Sequence, residues 1–269
     1  MKRMISKYLS VVFLCLVFLA LLYPFQENQQ AASTVEPPRT VDLNFSFPNP
    51  NPLYPTGKGP VVLVDEGHNN FHSAVTTYLP FARLLTDWVM DGGSLFIITD
   101  HMPDPAAVAE LAAAFGIWVN NGYAFRGLPP GRAEPLIFQK EIGTLADHPL
   151  TSVGQEGRAI KQIATFAGSA FKASPEFEPL LIFERGVRTW MPTEYRKYPA
   201  GTPNEDVSGW YQGGVREFGK GRIAFFSEAA MFTAQVFDVG LAKVGMNHTQ
   251  CTDNAQLLLN IIHWLSKKE

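Results

Sequence analysis

An unbroken apolar run, Val61-Val62-Leu63-Val64, ends abruptly in Asp65-Glu66-Gly67-His68-Asn69-Asn70. Four apolar residues without alternation predict a strand buried on both faces, so the polar cluster falls at its carboxyl end. The same switch recurs twice. Ser94 to Thr99 runs into Asp100-His101, and Ile223-Ala224-Phe225-Phe226 runs into Ser227-Glu228. Between the first two runs, Tyr78, Phe81, Ala82, Leu85, Trp88 and Val89 recur at helical spacing, and Asp91-Gly92-Gly93 ends the helix. This predicts a β-α-β unit.

The remaining elements follow from similar signals. Pro103 and Asp104 open a short helix over Ala106 to Phe115, closed by Gly116, and Ile117 to Val119 reads as a strand. Residues from Asn120 to Glu134 are rich in Gly and Pro and read as a long loop. Ala159 to Phe166 and Leu180 to Phe183 are strand candidates. Trp210 to Glu217 and Arg222 to Phe226 flank Phe218-Gly219-Lys220-Gly221, a hairpin signal. Ala229 to Gln235 reads as a short helix and Gly240 to Cys251 as irregular. A last helix from Asn254 to Lys268 carries Asp253 as N-cap with Gln256 three residues on.

At the amino terminus, Lys2, Arg3 and Lys7 precede an apolar stretch from Leu9 to Phe25. That order predicts export, by a signal peptide or an N-terminal membrane anchor. The positive-inside bias favours a single-pass anchor, with the folded domain outside the cytoplasm, or secreted where the signal is cleaved. Pro37, Pro38, Pro48, Pro50, Pro52 and Pro55 make the next segment an extended tether. The expected organisation is therefore residues 1–33 as signal or anchor, 34–59 as tether, and 60–269 as one α/β domain. At 46% hydrophobic and 17% charged, the chain has the composition of a folded domain. Its net charge of −3, without basic runs beyond the terminus, argues against a nucleic-acid partner. Cys15 lies in the apolar stretch, so Cys251 is the lone cysteine of the body, and the common reading is a buried structural thiol.

In open α/β sheets, ligands bind beyond the carboxyl ends of the strands. The three polar strand ends therefore nominate Glu66, His101 and Glu228 as candidate acid–base residues, and Asp65, His68, Asn69, Asn70, Asp100 and Ser227 as ligand-binding residues. His68 and His72 stand four apart and share a helical face, which makes a divalent metal a candidate cofactor. The plainer alternative is that His68 and Asn69 or Asn70 cap the first helix while the acids bond loop amides. A serine-hydrolase reading would use Ser227 with His101 or His248, but the Gly-x-Ser-x-Gly spacing is missing. Tyr123, Phe125, Trp190, Trp210 and Tyr211 are candidates for stacking on a sugar, against core packing as the commoner use of aromatics.

These three strand ends, together with Asp147-His148-Pro149 and Asn260-Ile261-Ile262-His263-Trp264-Leu265, resemble an uncharacterised bacterial family of unknown function whose domain is similar to class I glutamine amidotransferases. The resemblance runs from Val61 to the carboxyl terminus. It implies a flavodoxin-like three-layer α/β sandwich, mostly parallel, with an added β-hairpin. The family pattern carries further strand and helix segments before the Trp-Val-x-x-Gly-Gly-Ser stretch. Here Phe81 to Leu85 runs directly into Thr86 to Val89, an internal deletion of about one β-α unit near Leu85-Trp88. Amidotransferase chemistry needs a cysteine on a sharp strand-to-helix turn, and neither Asp100-His101-Met102 nor Ser227-Glu228-Ala229 supplies one.

The resulting expectation is an exported, membrane-tethered amidotransferase-like domain without the nucleophilic cysteine. It binds a small polar ligand, with carbohydrate as a candidate, at the strand ends. A metal- or carboxylate-dependent hydrolase using the same crevice is the alternative, and a structural component of an envelope complex the second.

Overall fold

The chain divides into two units, Met1–Glu36 and Pro37–Glu269. The computed structural model describes residues 39–42, 44–45, 79–127, 134–152, 159–237 and 242–266, all in the second unit. Strand β1 (Arg39–Val41) lies within the segment read as a tether. Helix α1 (Leu79–Met90) runs unbroken through the Leu85–Trp88 join and stops where Gly92 takes a positive φ of 121°. Strand β2 (Ser94–Ile98) follows. Helix α2 (Asp104–Ala114) is opened by Pro105 and closed by Gly116 at φ +72°.

The middle of the chain is a succession of short strands: β3 (Ile117–Val119), β4 (Tyr123–Arg126), β5 (Leu136–Gln139), β6 (Gln162–Thr165), β7 (Phe171–Ala173), β8 (Glu178–Ile182), β9 (Val187–Trp190) and β10 (Asn204–Asp206). The short helix α3 (Pro149–Ser152) interrupts them. The expected hairpin is present as β11 (Tyr211–Phe218) and β12 (Gly221–Phe226). A 3₁₀ turn (Ala230–Phe232), β13 (Ala234–Phe237), β14 (Ala242–Gly245) and helix α4 (Asn254–Leu265) complete the described chain.

The principal sheet has the order β2-β12-β11-β7-β3, with β8 also paired to β11. Smaller sheets are β1-β13-β14, β10-β9-β4 and β5-β6. Among the described residues only β12 and β2 pair in parallel, from Arg222↔Ser94 to Phe226↔Ile98. Every other pairing is antiparallel. This corrects the expected flavodoxin-like, mostly parallel sandwich: the described residues are mostly β, in mixed and antiparallel sheets. The physical reason is the stretch between β3 and β11. Its three- to five-residue strands are too short to show a period, and β4 lies inside the Gly- and Pro-rich segment that reads as loop.

The expected single-pass membrane location is also corrected. No helix among the described residues is long and apolar enough to cross a bilayer, which needs about 20 apolar residues. The Leu9–Phe25 stretch behind that expectation lies outside the described residues.

Strand β12 is buried on both faces, as its unbroken apolar run requires. Ile223 and Phe225 join Val89, Ile97, Phe115, Ile117 and Phe171 on one side. Ala224 and Phe226 join Val215, Leu180, Leu181, Leu257 and Ile261 on the other. The alternation of strand side chains thus feeds two apolar clusters from a single strand.

At the start of α4, Asp253 occupies the N-cap position without a capping hydrogen bond. Its Oδ2 instead accepts the amides of Lys161 and Gln162 at 2.8 and 3.0 Å. Asn254, fully buried, accepts from the Ala164 amide at 3.1 Å and donates to the Ala164 and Met231 carbonyls at 2.8 and 3.1 Å. The helix is therefore clamped to β6 and to the 3₁₀ turn. Asn254→Ala should cost about 2 kcal/mol, since it leaves buried backbone groups unpaired. Urea denaturation would show this as a lower midpoint at unchanged slope.

Candidate functional site

The parallel register of β2 and β12 aligns their carboxyl ends. The Thr99 amide donates to the Phe226 carbonyl at 2.9 Å, extending the ladder one residue past β2. Asp100-His101 and Ser227-Glu228 consequently leave the sheet side by side. Of the residues nominated from sequence, these four are brought together. Asp65, Glu66, His68, Asn69, Asn70 and His72 lie outside the described residues.

The four divide into two layers. Ser227 and Glu228 are buried, whereas Asp100 is half-buried and His101 keeps an exposure of 9%. Asp100 folds back on its own turn, with Oδ1 accepting the His101 amide at 2.9 Å. The His101 Nδ1–H donates to the Met102 carbonyl at 3.0 Å, since a carbonyl can only accept. In the neutral ring this leaves the lone pair on Nε2, which faces an Arg196 N–H at 3.4 Å. The ring stacks on Tyr123 at 4.4 Å.

Beneath them, Glu228 Oε2 accepts the Met231 amide at 2.7 Å and so caps the 3₁₀ turn. Its Oε1 is buried without a hydrogen-bond partner of ordinary geometry. Burial, and then the charge of Asp100, push the Glu228 pKa well above the carboxylate range, and the amides of Met231, Phe166 and Ala230 only partly offset this. Its surroundings therefore favour the protonated form of Glu228, which lies beneath the more exposed Asp100. One residue earlier, the Ser227 hydroxyl donates to the Ser169 carbonyl at 2.7 Å. No histidine among the described residues hydrogen-bonds it, so the Ser227–His101 and Ser227–His248 dyads are not formed.

The layer is held by a loop that carries no motif, Phe166 to Ala170, between β6 and β7. The Ala167 carbonyl accepts from Gln212 Nε2 at 2.7 Å and the Gly168 carbonyl from the Ala124 amide at 2.9 Å. The Ser169 amide donates to the Ser227 carbonyl at 2.7 Å, and its hydroxyl to the Asp100 carbonyl at 2.9 Å. Gly168 adopts φ +65° directly against Ser227 and Glu228. The legible signal here was the Gly-Ser pair between two apolar runs, a turn signature.

The aromatics nominated for sugar stacking are used in packing. Tyr123 and Phe125 are buried and stack on each other at 6.1 Å, and Tyr123 turns its other contacts to His101, Tyr195 and Tyr198. Burial pushes the Tyr123 phenol up to about 12; it stays protonated and donates to the Met102 carbonyl at 2.9 Å. Trp190 and Trp210 pack against apolar clusters, and Tyr211 packs against Phe171 and Phe177. Trp210 also carries Lys172 over its ring at 4.1 Å.

Cys251 is buried, and desolvation first and Glu228 second push its thiol up to about 12. A thiol that resists ionisation in this way is a poor nucleophile. Among the described residues no group of three or more His, Cys, Asp or Glu side chains is placed to hold a metal ion. Arg196 and Tyr195, on the loop after β9, belong to the site and carry no sequence motif.

No family model matches the chain, and no curated protein does. Among solved structures, it is similar to the mmIFT52 N-terminal domain at 11% identity, covering 71% of this chain and 72% of that one with a TM-score of 0.44. It is similar to the cytoplasmic protein STM1381 from Salmonella typhimurium LT2 at 13% identity, covering 70% and 61% with a TM-score of 0.38. A β-galactosidase from Bacillus circulans sp. alkalophilus shares 17% identity over 55% of this chain and 18% of its own, with a TM-score of 0.29. These likenesses are too distant to carry function.

Proposed function

We propose that the strand-end cluster binds a small polar ligand, with Asp100 and His101 as the contacting groups. One observation carries the reading: the in-register pairing of β2 with β12 sets Asp100-His101 beside Ser227-Glu228. Asp100 supplies acceptor oxygens, and His101 supplies an acceptor nitrogen at Nε2. Glu228 lies beneath, where burial and the proximity of Asp100 disfavour a second negative charge in the floor of the cluster. Such a set suits a ligand rich in hydroxyl groups. With the nearby aromatic faces in use, a carbohydrate here is recognised through its hydroxyls rather than by stacking.

The test is a thermal-shift panel of neutral monosaccharides, polyols and sugar acids on the whole chain. At ten times its dissociation constant, a ligand that binds only the folded state adds about 1.4 kcal/mol of stability. At least one probe should give a saturable shift that Asp100→Ala removes while remaining folded. No shift with any probe, or an equal shift in Asp100→Ala, would contradict the reading.

A second reading has a specific observation behind it, the opposed environments of the two carboxyls. With Glu228 favoured in its protonated form close to Asp100 and the His101 lone pair at hand, the cluster holds the groups that general acid–base chemistry uses. On this reading the protein is a hydrolase. It would then turn over chromogenic glycosides or esters, with a rate lost in both Asp100→Asn and His101→Gln. Binding without turnover supports the first reading.

A further inference from the structure

Arg196 has an unusual position for a surface arginine. No carboxylate among the described residues forms an ion pair with it, whereas its neighbour Lys197 pairs with Glu194. The guanidinium instead stands 5.2 Å over the Tyr195 ring and within 3.4 Å of His101 Nε2. Its backbone is left-handed, at φ 53°, a conformation that costs an L-residue with a long side chain energy and that glycine adopts freely. The strain is held in place by the Arg196 amide, which donates to the buried Tyr123 hydroxyl at 3.3 Å. A cation with no ion pair to any carboxylate of the described residues, on strained backbone and beside the candidate ligand-binding residues, is a preorganised donor.

We infer that Arg196, with Tyr195 beneath it and His101 beside it, is a subsite for an anionic oxygen group, carboxylate or phosphoryl, of the ligand bound at the strand ends. This rests on the binding reading above and narrows it: the ligand carries hydroxyls toward Asp100 and a negative group toward Arg196. A planar guanidinium offers two parallel N–H donors to such a group. The contact at His101 Nε2 is long and is given up when the anion arrives. The subsite also accounts for an arginine where glycine would be unstrained.

The experiment compares glucose, glucuronate and glucose 6-phosphate as calorimetric probes of the full chain, with inorganic phosphate as competitor. One or both acids should bind at least about tenfold tighter than glucose, and phosphate should compete with them. Arg196→Gln should abolish the preference, and Arg196→Lys should restore part of it. Arg196→Gly should also lose the preference while its melting temperature holds or rises, because the backbone strain is relieved. Equal affinities for the acids and glucose, or a preference that survives Arg196→Gln, overturn the anion subsite. If Asp100→Ala still abolishes binding in that case, the strand-end site itself stands. If no probe binds, both fall.

Discussion

Gly168→Ala should destabilise the protein by about 4 kcal/mol. The residue sits at φ +65°, and a Cβ built there would lie 2.5 Å from the Ser227 carbonyl oxygen and 2.6 Å from Glu228 Cβ and Cγ. Left-handed backbone costs an L-residue about 1–2 kcal/mol, and overpacking a rigid site about 1–3 more. The neighbours have little room to give, because hydrogen bonds from Gln212, Ala124, Ser169 and Ser227 fix the loop on several sides. Any relaxation must push β12 away from the β6–β7 loop and so disturb the Asp100–Glu228 layer. Equilibrium urea denaturation measures the loss. A change under about 1 kcal/mol would show that the loop does not press on the strand ends as closely as described.

The second large effect is a pH dependence set by Glu228. Its folded pKa is raised well above the ordinary 4.5, by burial first and by Asp100 second. Once the pH exceeds the ordinary carboxylate value, the unfolded chain has released a proton that the folded chain still holds. Stability then falls with rising pH, by about 1.4 kcal/mol per unit, until the folded carboxyl itself ionises. Below the ordinary value both states hold the proton and the contribution vanishes. Glu228→Gln keeps a neutral side chain of nearly the same shape and removes this loss. The variant should therefore be the more stable protein at about pH 7, and the two stability curves should converge near about pH 4. Denaturation midpoints across that range decide it. A variant less stable than the parent at neutral pH would mean that Glu228 is ionised and that its bond to the Met231 amide dominates.

The part of the site legible in the sequence is the part set by strand chemistry. Ile223 to Phe226 and Ser94 to Ile98 are continuous apolar runs because their strands are parallel neighbours with apolar clusters packed around them. The switch to polar residues marks where the strands end rather than where burial ends, since Ser227 and Glu228 are themselves buried. Helix α1 was legible from its periodic apolar residues and the glycines at its end, and α2 from Pro103-Asp104 before it and Gly116 after it. The sheet order was not, because β4, β7, β9 and β10 are three or four residues long and are specified by partners far away in sequence. The reading of Ala229 to Gln235 as a helix failed on the same ground: after one 3₁₀ turn the chain pairs with β1 and β14. Asp253 was legible as an N-cap, yet the amides of Lys161 and Gln162 compete for its carboxylate and win. Arg196 left no trace in the pattern, since what distinguishes it is a backbone angle and its contacts with Tyr195 and His101.

The most direct measurement of the central claim is chemical-shift mapping, by ¹H–¹⁵N NMR, of the panel ligand that stabilises the whole chain most. Saturable shifts are expected at Asp100, His101 and Ser169, with Lys140 and Ser152 on α3 and its flank unmoved. Shifts centred away from the β2–β12 strand ends, or unchanged in Asp100→Ala, would contradict a binding site there.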